Sequence, residues 1–279
     1  EALSSVLSMI GFSYVALRAV DLLRAVVEKR HAPPDLFSLI NYLLPFHMLA
    51  AGPIQAYDEF ARQPAVPASL SPRDVLESVE RITLGLFKKF VLAYAIQSIF
   101  LTDFEADGLY FFLEVQVFFL WLYLDFSAYS DIAVGVGRLL GVATPENFNR
   151  PYLARNAIDF WNRWHISLAQ FVRRNLFIPI QLHLTRRFEG RYPLLIASVA
   201  FSIAFVLCGL WHGLSINFLL WGAIHALALV IANAWRFYLK KRLGTAGVKR
   251  YMADRRIEWL ARIVTYEYVA FSLVVLFIP

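Results

Sequence analysis

Residues 192–235 read YPLLIASVAFSIAFVLCGLWHGLSINFLLWGAIHALALVIANAW, 44 positions without a Lys, Arg, Asp or Glu. At about 1.5 Å per residue a single helix of that length would reach roughly 66 Å. A bilayer's hydrocarbon core needs only about 20 residues. The run therefore reads as two membrane spans. The predicted break falls at Gly209-Leu210-Trp211-His212-Gly213, where two glycines loosen the helix. Arg191 and Arg236 bracket the pair.

Further spans are predicted on both sides of this one. Residues 108–126 are rich in Phe and Leu and are interrupted by Glu114 before Asp125 near their end, and residues 257–279 turn apolar towards their end. Residues 2–27 carry Arg18, Asp21 and Arg24, and residues 75–101 carry Lys88 and Lys89. Both stretches are expected to be amphipathic or shielded by protein. Residues 36–54 contain Pro45 and Pro53 and predict a broken or re-entrant segment, a form tolerated at membrane depth only inside protein. Residues 62–73 and 144–156, each holding prolines, predict loops. The basic stretch 240–256 predicts a cytoplasmic loop.

The composition agrees. Of 279 residues 59% are hydrophobic and 17% charged, against about 25% charged in an average soluble domain. Mean hydropathy is +0.54. These values exclude a disordered chain and argue against an ordinary cytosolic globule. The net charge of +6 is accounted for by membrane topology, with Lys and Arg near anionic headgroups, rather than by nucleic acid. A single cysteine, Cys208, excludes an intrachain disulfide and a cysteine-based zinc cluster. The chain opens on Glu1 without a secretory signal, and a truncation at the N-terminus, with the C-terminus also in question, is the expectation.

In such a chain the costly polar residues carry the function. His212 and His225 both lie within the uncharged run. A neutral imidazole with a pKa near 6.5 can take a proton from a hydroxyl without a permanent buried charge. Gly213 leaves room for a close backbone or substrate approach. On one continuous helix, 13 residues at about 100° each would turn His225 to a different side from His212, an arithmetic that a broken helix voids. The alternative for each histidine is a hydrogen bond between helices.

A second constellation is Phe160-Trp161-Asn162-Arg163-Trp164-His165-Ile166-Ser167-Leu168. Its Trp161, Trp164, His165 and Leu168 follow helical spacing and are expected to share one face. It reads either as an interfacial helix with an aromatic anchor or as a wall that turns His165 into a cavity with His212. No third ligand stands at zinc spacing, so no metal site is predicted. The third cluster runs from Asp125 to Asp131 as DFSAYSD. Its two carboxylates are six positions apart and do not share a helix face, so a network with Ser, Tyr and backbone amides is expected.

Together these blocks resemble the membrane-bound O-acyltransferase (MBOAT) family. The resemblance is carried by residues 125–131, Gly135, Arg138-Leu139-Leu140-Gly141 and 145–152 (PENFNRPY), then by 160–168. Gly209-Leu210-Trp211-His212-Gly213 follows, with Trp221-Gly222 and His225 after it. Upstream, Ala51-Gly52-Pro53-Ile54 and Asp58-Glu59-Phe60 are also similar. The combination is most like the bacterial branch, that of alginate O-acetylation and teichoic acid D-alanylation. Departures from the pattern fall at Pro45-Phe46-His47, Arg174-Asn175, Gln181 and Ala226.

The resemblance implies an all-α, multi-pass membrane fold. It would be a multi-helix bundle with a central funnel or tunnel, forming one domain over 1–279. It implies that His212 is the catalytic histidine, deep in a channel, and that His165 is the second catalytic position. Trp211, Trp164, Asn162, Arg163, His225 and Asp131 are the candidate tunnel or substrate-binding residues. The implied reaction moves an acyl group, acetyl above all, from a cytoplasmic thioester donor to a hydroxyl of an exported polysaccharide or other envelope polymer. The donor would be acyl-CoA or an acyl carrier protein, with no bound cofactor. The implied setting is the bacterial inner membrane, with a periplasmic esterase-like protein as a partner. A transporter or flippase with a polar intramembrane path is the alternative, and a silent docking scaffold a third reading.

Overall fold

The computed structural model describes residues 11–63, 69–100 and 108–277. The beginnings of the first predicted stretch, part of the 62–73 loop, residue 101 and the last two residues lie outside them. Among the described residues there are helices and no strand. Five helical stretches are long and apolar enough to cross a membrane: Pro72–Phe100, Gly108–Leu139, Pro193–His212, Ile216–Ala253 and Arg255–Leu276. The chain is an all-α, multi-pass membrane protein. It divides into two compact units, one of Glu1–Glu105 with Leu120–Phe148, the other of Ala106–Phe119 with Asn149–Pro279.

In the first unit, helix α1 (Phe12–Val27) buries Arg18 and Asp21. α1 is not among the five spanning candidates, in keeping with its amphipathic sequence. Its buried charges serve backbone groups. Arg18 donates to the carbonyls of Met48 (2.7 Å), Pro53 (3.1 Å) and Leu43 (3.4 Å), and Asp21 accepts from the Tyr57 amide at 2.8 Å. α2 (Leu36–Leu43) starts on Asp35, whose carboxylate accepts the Phe37 and Ser38 amides. It stops ahead of Pro45, which cannot supply a helical N–H. A 3-10 turn, Phe46–Met48, follows, and then irregular backbone up to the short helix α3 (Tyr57–Phe60). The segment is broken as the prolines predict, and Arg18 satisfies carbonyls that the break leaves without helical partners.

α4 (Pro72–Phe87) begins with a Ser71–Asp74 capping box. It continues through a π-helical turn, Lys88–Ala93, into α5 (Tyr94–Phe100). α6 (Gly108–Leu139) runs well past Phe126, the end expected from hydropathy. Within the first unit α4 and α6 touch closely. A Cβ on Gly85 would sit 2.7 Å from the Ala128 carbonyl oxygen.

Charged side chains meet across that contact. Lys89 pairs with Asp125 at 2.5 Å and Lys88 with Asp131 at 2.7 Å, while Arg81 reaches Asp131 at 2.7 Å and Glu146 at 2.6 Å. The expected network of Ser, Tyr and backbone amides around Asp125 and Asp131 is thus corrected. Their main partners are cations of the preceding span. The serines of the cluster make weaker bonds: Ser130 accepts from Asn147 at 3.3 Å and Ser127 from Lys88 at 3.4 Å. Opposite charges 36 to 50 positions apart in sequence cannot be matched from spacing alone.

In the second unit, α7 (Ala157–Trp161) is capped by Asn156, which accepts the Asp159 amide at 2.9 Å. α8 (Ile166–Val172) follows a turn, and a π-helical stretch, Arg173–Phe177, leads into α9 (Ile178–Arg187). The single helix expected over 160–168 is corrected. It ends at Trp161 and restarts at Ile166, because His165 adopts a left-handed φ of 43° that no helix interior accommodates. Trp161, Trp164, His165 and Leu168 are nevertheless all buried, so an exposed interfacial helix is excluded.

α10 (Pro193–His212) and α11 (Ile216–Ala253) fall on either side of Gly213-Leu214-Ser215. The uncharged run is two helices, broken where its glycines predicted. α11 continues to Ala253, with one non-helical residue, Gly244 at φ 63°, and α12 (Arg255–Ser272) starts on the Asp254 cap. The basic stretch 240–256 is therefore helical rather than a loop. Lys, Arg, Leu and Ala are good helix formers, and positive charge by itself does not end a helix.

Candidate active site

α10 and α11 pack through glycine. A Cβ on Gly209 would lie 2.2 Å from the Phe218 carbonyl oxygen and 3.0 Å from the Gly222 Cα, and one on Gly222 would lie 2.5 Å from the Phe205 carbonyl oxygen. Only hydrogen at both positions lets the helix backbones meet. The first turns of α11 are thereby brought beside the last turn of α10, which carries His212. Gly209→Ala is expected to cost about 1–3 kcal/mol through overpacking, read as a lower melting temperature of the detergent-solubilised protein. An unchanged melting temperature would show that the helices can separate freely here.

Phe218, Trp221 and His225 stand at i, i+3 and i+7 on α11 and share one face. That face meets His212. The imidazole of His212 lies 4.7 Å from the Trp211 ring, 6.0 Å from Phe218 in a stacked arrangement and 5.2 Å from Trp221 edge-on. A Cβ on Gly213 would fall 2.4 Å from the Phe218 ring, so the room left by this glycine is taken by an aromatic side chain. His212 itself is exposed and makes no hydrogen bond among the described residues. The imidazole is walled by these aromatics and stands on the last residue of α10.

His165 is 3% exposed. Burial first, and the neighbouring imidazole of His212 second, lower it from the usual value to about 3. It is therefore a neutral imidazole at physiological pH, able to donate or accept one hydrogen bond on each face of the reaction but not to supply a positive charge. His165 cannot turn into solvent as His212 does.

The remaining candidates separate. Trp164 stacks on Phe160 at 5.7 Å and meets Phe119 in a tilted arrangement at 5.8 Å. Arg163 pairs with Asp159 at 2.8 Å, and its guanidinium and carbonyl both bond the backbone of Asn149. This is a structural clamp on the turn. Asn162 is exposed and stands at two cavities. One, of about 400 Å³, is lined by Trp161, Asn162, Gln170, Arg173, Phe177 and Phe205 among others. The other, of about 430 Å³, is lined by Arg155, Asn162, Trp235, Arg236, Tyr251 and Glu258 among others. Asp131 belongs to the first unit, with both its oxygens in ion pairs to Arg81 and Lys88. Among the described residues no three His, Cys, Asp or Glu side chains gather as a metal site would require.

His225 is 1% exposed and fully engaged. Tyr268 Oη lies 3.0 Å from Nδ1 and Ser272 Oγ 3.1 Å from Nε2. The ring also sits 4.5 Å from Trp221 and 5.3 Å from Trp161. Sequence reasoning passed over Tyr268 and Ser272. The signal was present, since two hydroxyl side chains four apart in a spanning helix face the same way.

A family model described as MBOAT, membrane-bound O-acyltransferase family, matches residues 2–274. Over 277 residues the chain is 28% identical to a teichoic acid D-alanyltransferase of Bacillus subtilis, covering 96% of this chain and 68% of that one. It is 32% identical over 224 residues to a peptidoglycan O-acetyltransferase of Helicobacter pylori, covering 75% of this chain and 41% of the relative. It is 28% identical over 240 residues to a probable alginate O-acetylase of Pseudomonas aeruginosa, covering 83% and 44%. The chain thus spans about two thirds of the first relative and less than half of the other two.

Proposed function

The chain belongs to the membrane-bound O-acyltransferase family, and from that premise we propose that it moves an acyl group, acetyl above all, from a cytoplasmic thioester to a hydroxyl of an exported polysaccharide or other envelope polymer. The names of the relatives, which act on teichoic acid, peptidoglycan and alginate, support a polymer acceptor. The proposed setting is the bacterial inner membrane, where the donor and the polymer meet from opposite sides. Residues 1–279 act as one domain in this reading, which the family match over residues 2–274 supports.

The observation that carries the reading is the exposed imidazole of His212 at the end of an apolar span, walled by Trp211, Phe218 and Trp221. In the proposed reaction His212 takes the acceptor hydroxyl proton as that oxygen attacks the thioester carbonyl carbon. The C–S bond breaks, the thiolate leaves and takes the proton back, and an ester remains on the acceptor. The buried, neutral His165 orients the reactants or hydrogen-bonds the developing oxyanion. The aromatic walls limit water, the competing nucleophile.

The test supplies radiolabelled acetyl thioester to membranes containing the chain, as acetyl-CoA in one arm and as an acetylated carrier protein in the other. Label recovered in polymer and released by mild alkali is the expected result. Movement of polymer or donor across the membrane without any alkali-labile label on the polymer overturns it in favour of transport.

A further inference from the structure

The hydrogen bonds around His225 fix where its proton is. Ser272 Oγ lies 2.7 Å from the Val269 carbonyl oxygen, which can only accept, so the hydroxyl proton points there. Ser272 Oγ is then left as an acceptor towards Nε2 at 3.1 Å, and Nε2 carries a hydrogen. On the other side Tyr268 Oη is 3.0 Å from Nδ1 and 3.3 Å from the Ile224 carbonyl oxygen. No carboxylate is among the ring's partners, and a buried cation without one would be costly. Nδ1 is therefore bare and accepts the Tyr268 proton. Every hydrogen-bonding atom of the imidazole is satisfied, so His225 has no capacity left to handle a substrate proton.

Its position indicates a different task. The ring is wedged between Trp161 and Trp221, and Trp221 alone of those two bears on His212, at 5.2 Å. Because Trp221 and His225 sit four apart on the same face of α11, a shift of the His225 ring is passed to the Trp221 ring and from there to His212. We propose that Tyr268 and Ser272, on α12, are positioning residues for acyl transfer: by locking the His225 ring they hold Trp221 in place against the His212 imidazole. This rests on His212 being the base. α12 thereby sets the reactive geometry although it contributes no group to the reaction.

The test is the labelled-acetyl assay with kinetics. Tyr268→Phe keeps the ring and removes the proton donor. Ser272→Val removes the hydroxyl and has the same shape as Ser272→Thr, so these two variants differ from each other in the hydroxyl alone. Each is expected to lower kcat about tenfold, as misplacement of a reacting group by a fraction of an ångström does, with KM for the donor within about twofold. Ser272→Thr, which retains the hydroxyl, is expected to restore kcat. A fall in melting temperature with kcat unchanged would overturn the proposal, as would equal loss in the threonine and valine variants.

Should a variant fail to fold, the unmodified protein carries the test. With 15N-histidine labelling, magic-angle-spinning NMR is expected to show an imidazole in the Nε2–H form that vanishes in His225→Gln. A protonated Nδ1 on that residue overturns the proposal. Acyl transfer that survives His212→Ala would instead remove the reading of the active site, whatever the tautomer of His225.

Discussion

His212→Ala is expected to reduce acyl transfer by about 10²–10⁴-fold, the usual contribution of a general base, while the amount of folded protein in the membrane stays the same. The two halves of this expectation have separate grounds. The imidazole is exposed and makes ring contacts but no hydrogen bond among the described residues, so its removal leaves no buried group without a partner. Loss of rate with retention of fold then points to chemistry. His212→Gln should be as inactive as the alanine variant, because an amide can hydrogen-bond the acceptor but cannot carry its proton. The measurement is labelled ester formed per unit of immunodetected protein in membranes. Activity within about tenfold of the native chain would exclude His212 as the base.

The second large effect concerns the fold of the first unit. Arg18→Met is expected to destabilise the protein by about 3–5 kcal/mol, the range found when one partner of a buried charged network is removed. Arg18 is fully buried. Burial pulls its guanidinium down to about 10, against the opposing influence of Tyr42 above all, so it remains a cation at neutral pH. It serves the carbonyls of Met48 and Pro53, which lie in the broken stretch after α2 and have no helical amide to turn to. Methionine keeps the apolar stem and removes the donors. At about 2–4 °C per kcal/mol for a chain of this size, the melting temperature in detergent should fall by about 10 °C. Arg73→Ala, at a side chain 86% exposed and paired only to its helix neighbour Glu77, should shift stability by less than about 0.5 kcal/mol. Equal melting temperatures for the two variants would show that the broken segment does not depend on Arg18.

What was legible in the sequence follows from what lipid demands. The uncharged run declared two spans, and the break fell at Gly213, four positions after the Gly209 that lets the helix backbones meet. The prolines at 45 and 53 announced the broken segment, and Lys88 with Lys89 announced protein shielding. The turn at 162–165 was not legible. Trp161, Trp164, His165 and Leu168 are all buried, so their spacing imitates a helix face although the chain reverses its handedness at His165. The role of Tyr268 and Ser272 was hidden for another reason. A hydroxyl in a spanning helix has no meaning until its partner on another helix is known, and His225 lies more than forty positions away.

The ion pairs between α4's π-helical continuation and α6 bear on biogenesis. Alone, Lys88 and Lys89 burden their span with two charges, each costing about 2.5–3.5 kcal/mol at the centre of an inserting helix. Their counter-ions Asp131 and Asp125 lie on α6, 43 and 36 positions further along, so the lysines are neutralised only once α6 stands beside them. Each helix by itself carries two unpaired charges, and the pair together is neutral at these positions, which makes it the cheaper form to place in lipid. A chain cut before residue 125 would leave the α4 continuation with both lysines uncompensated.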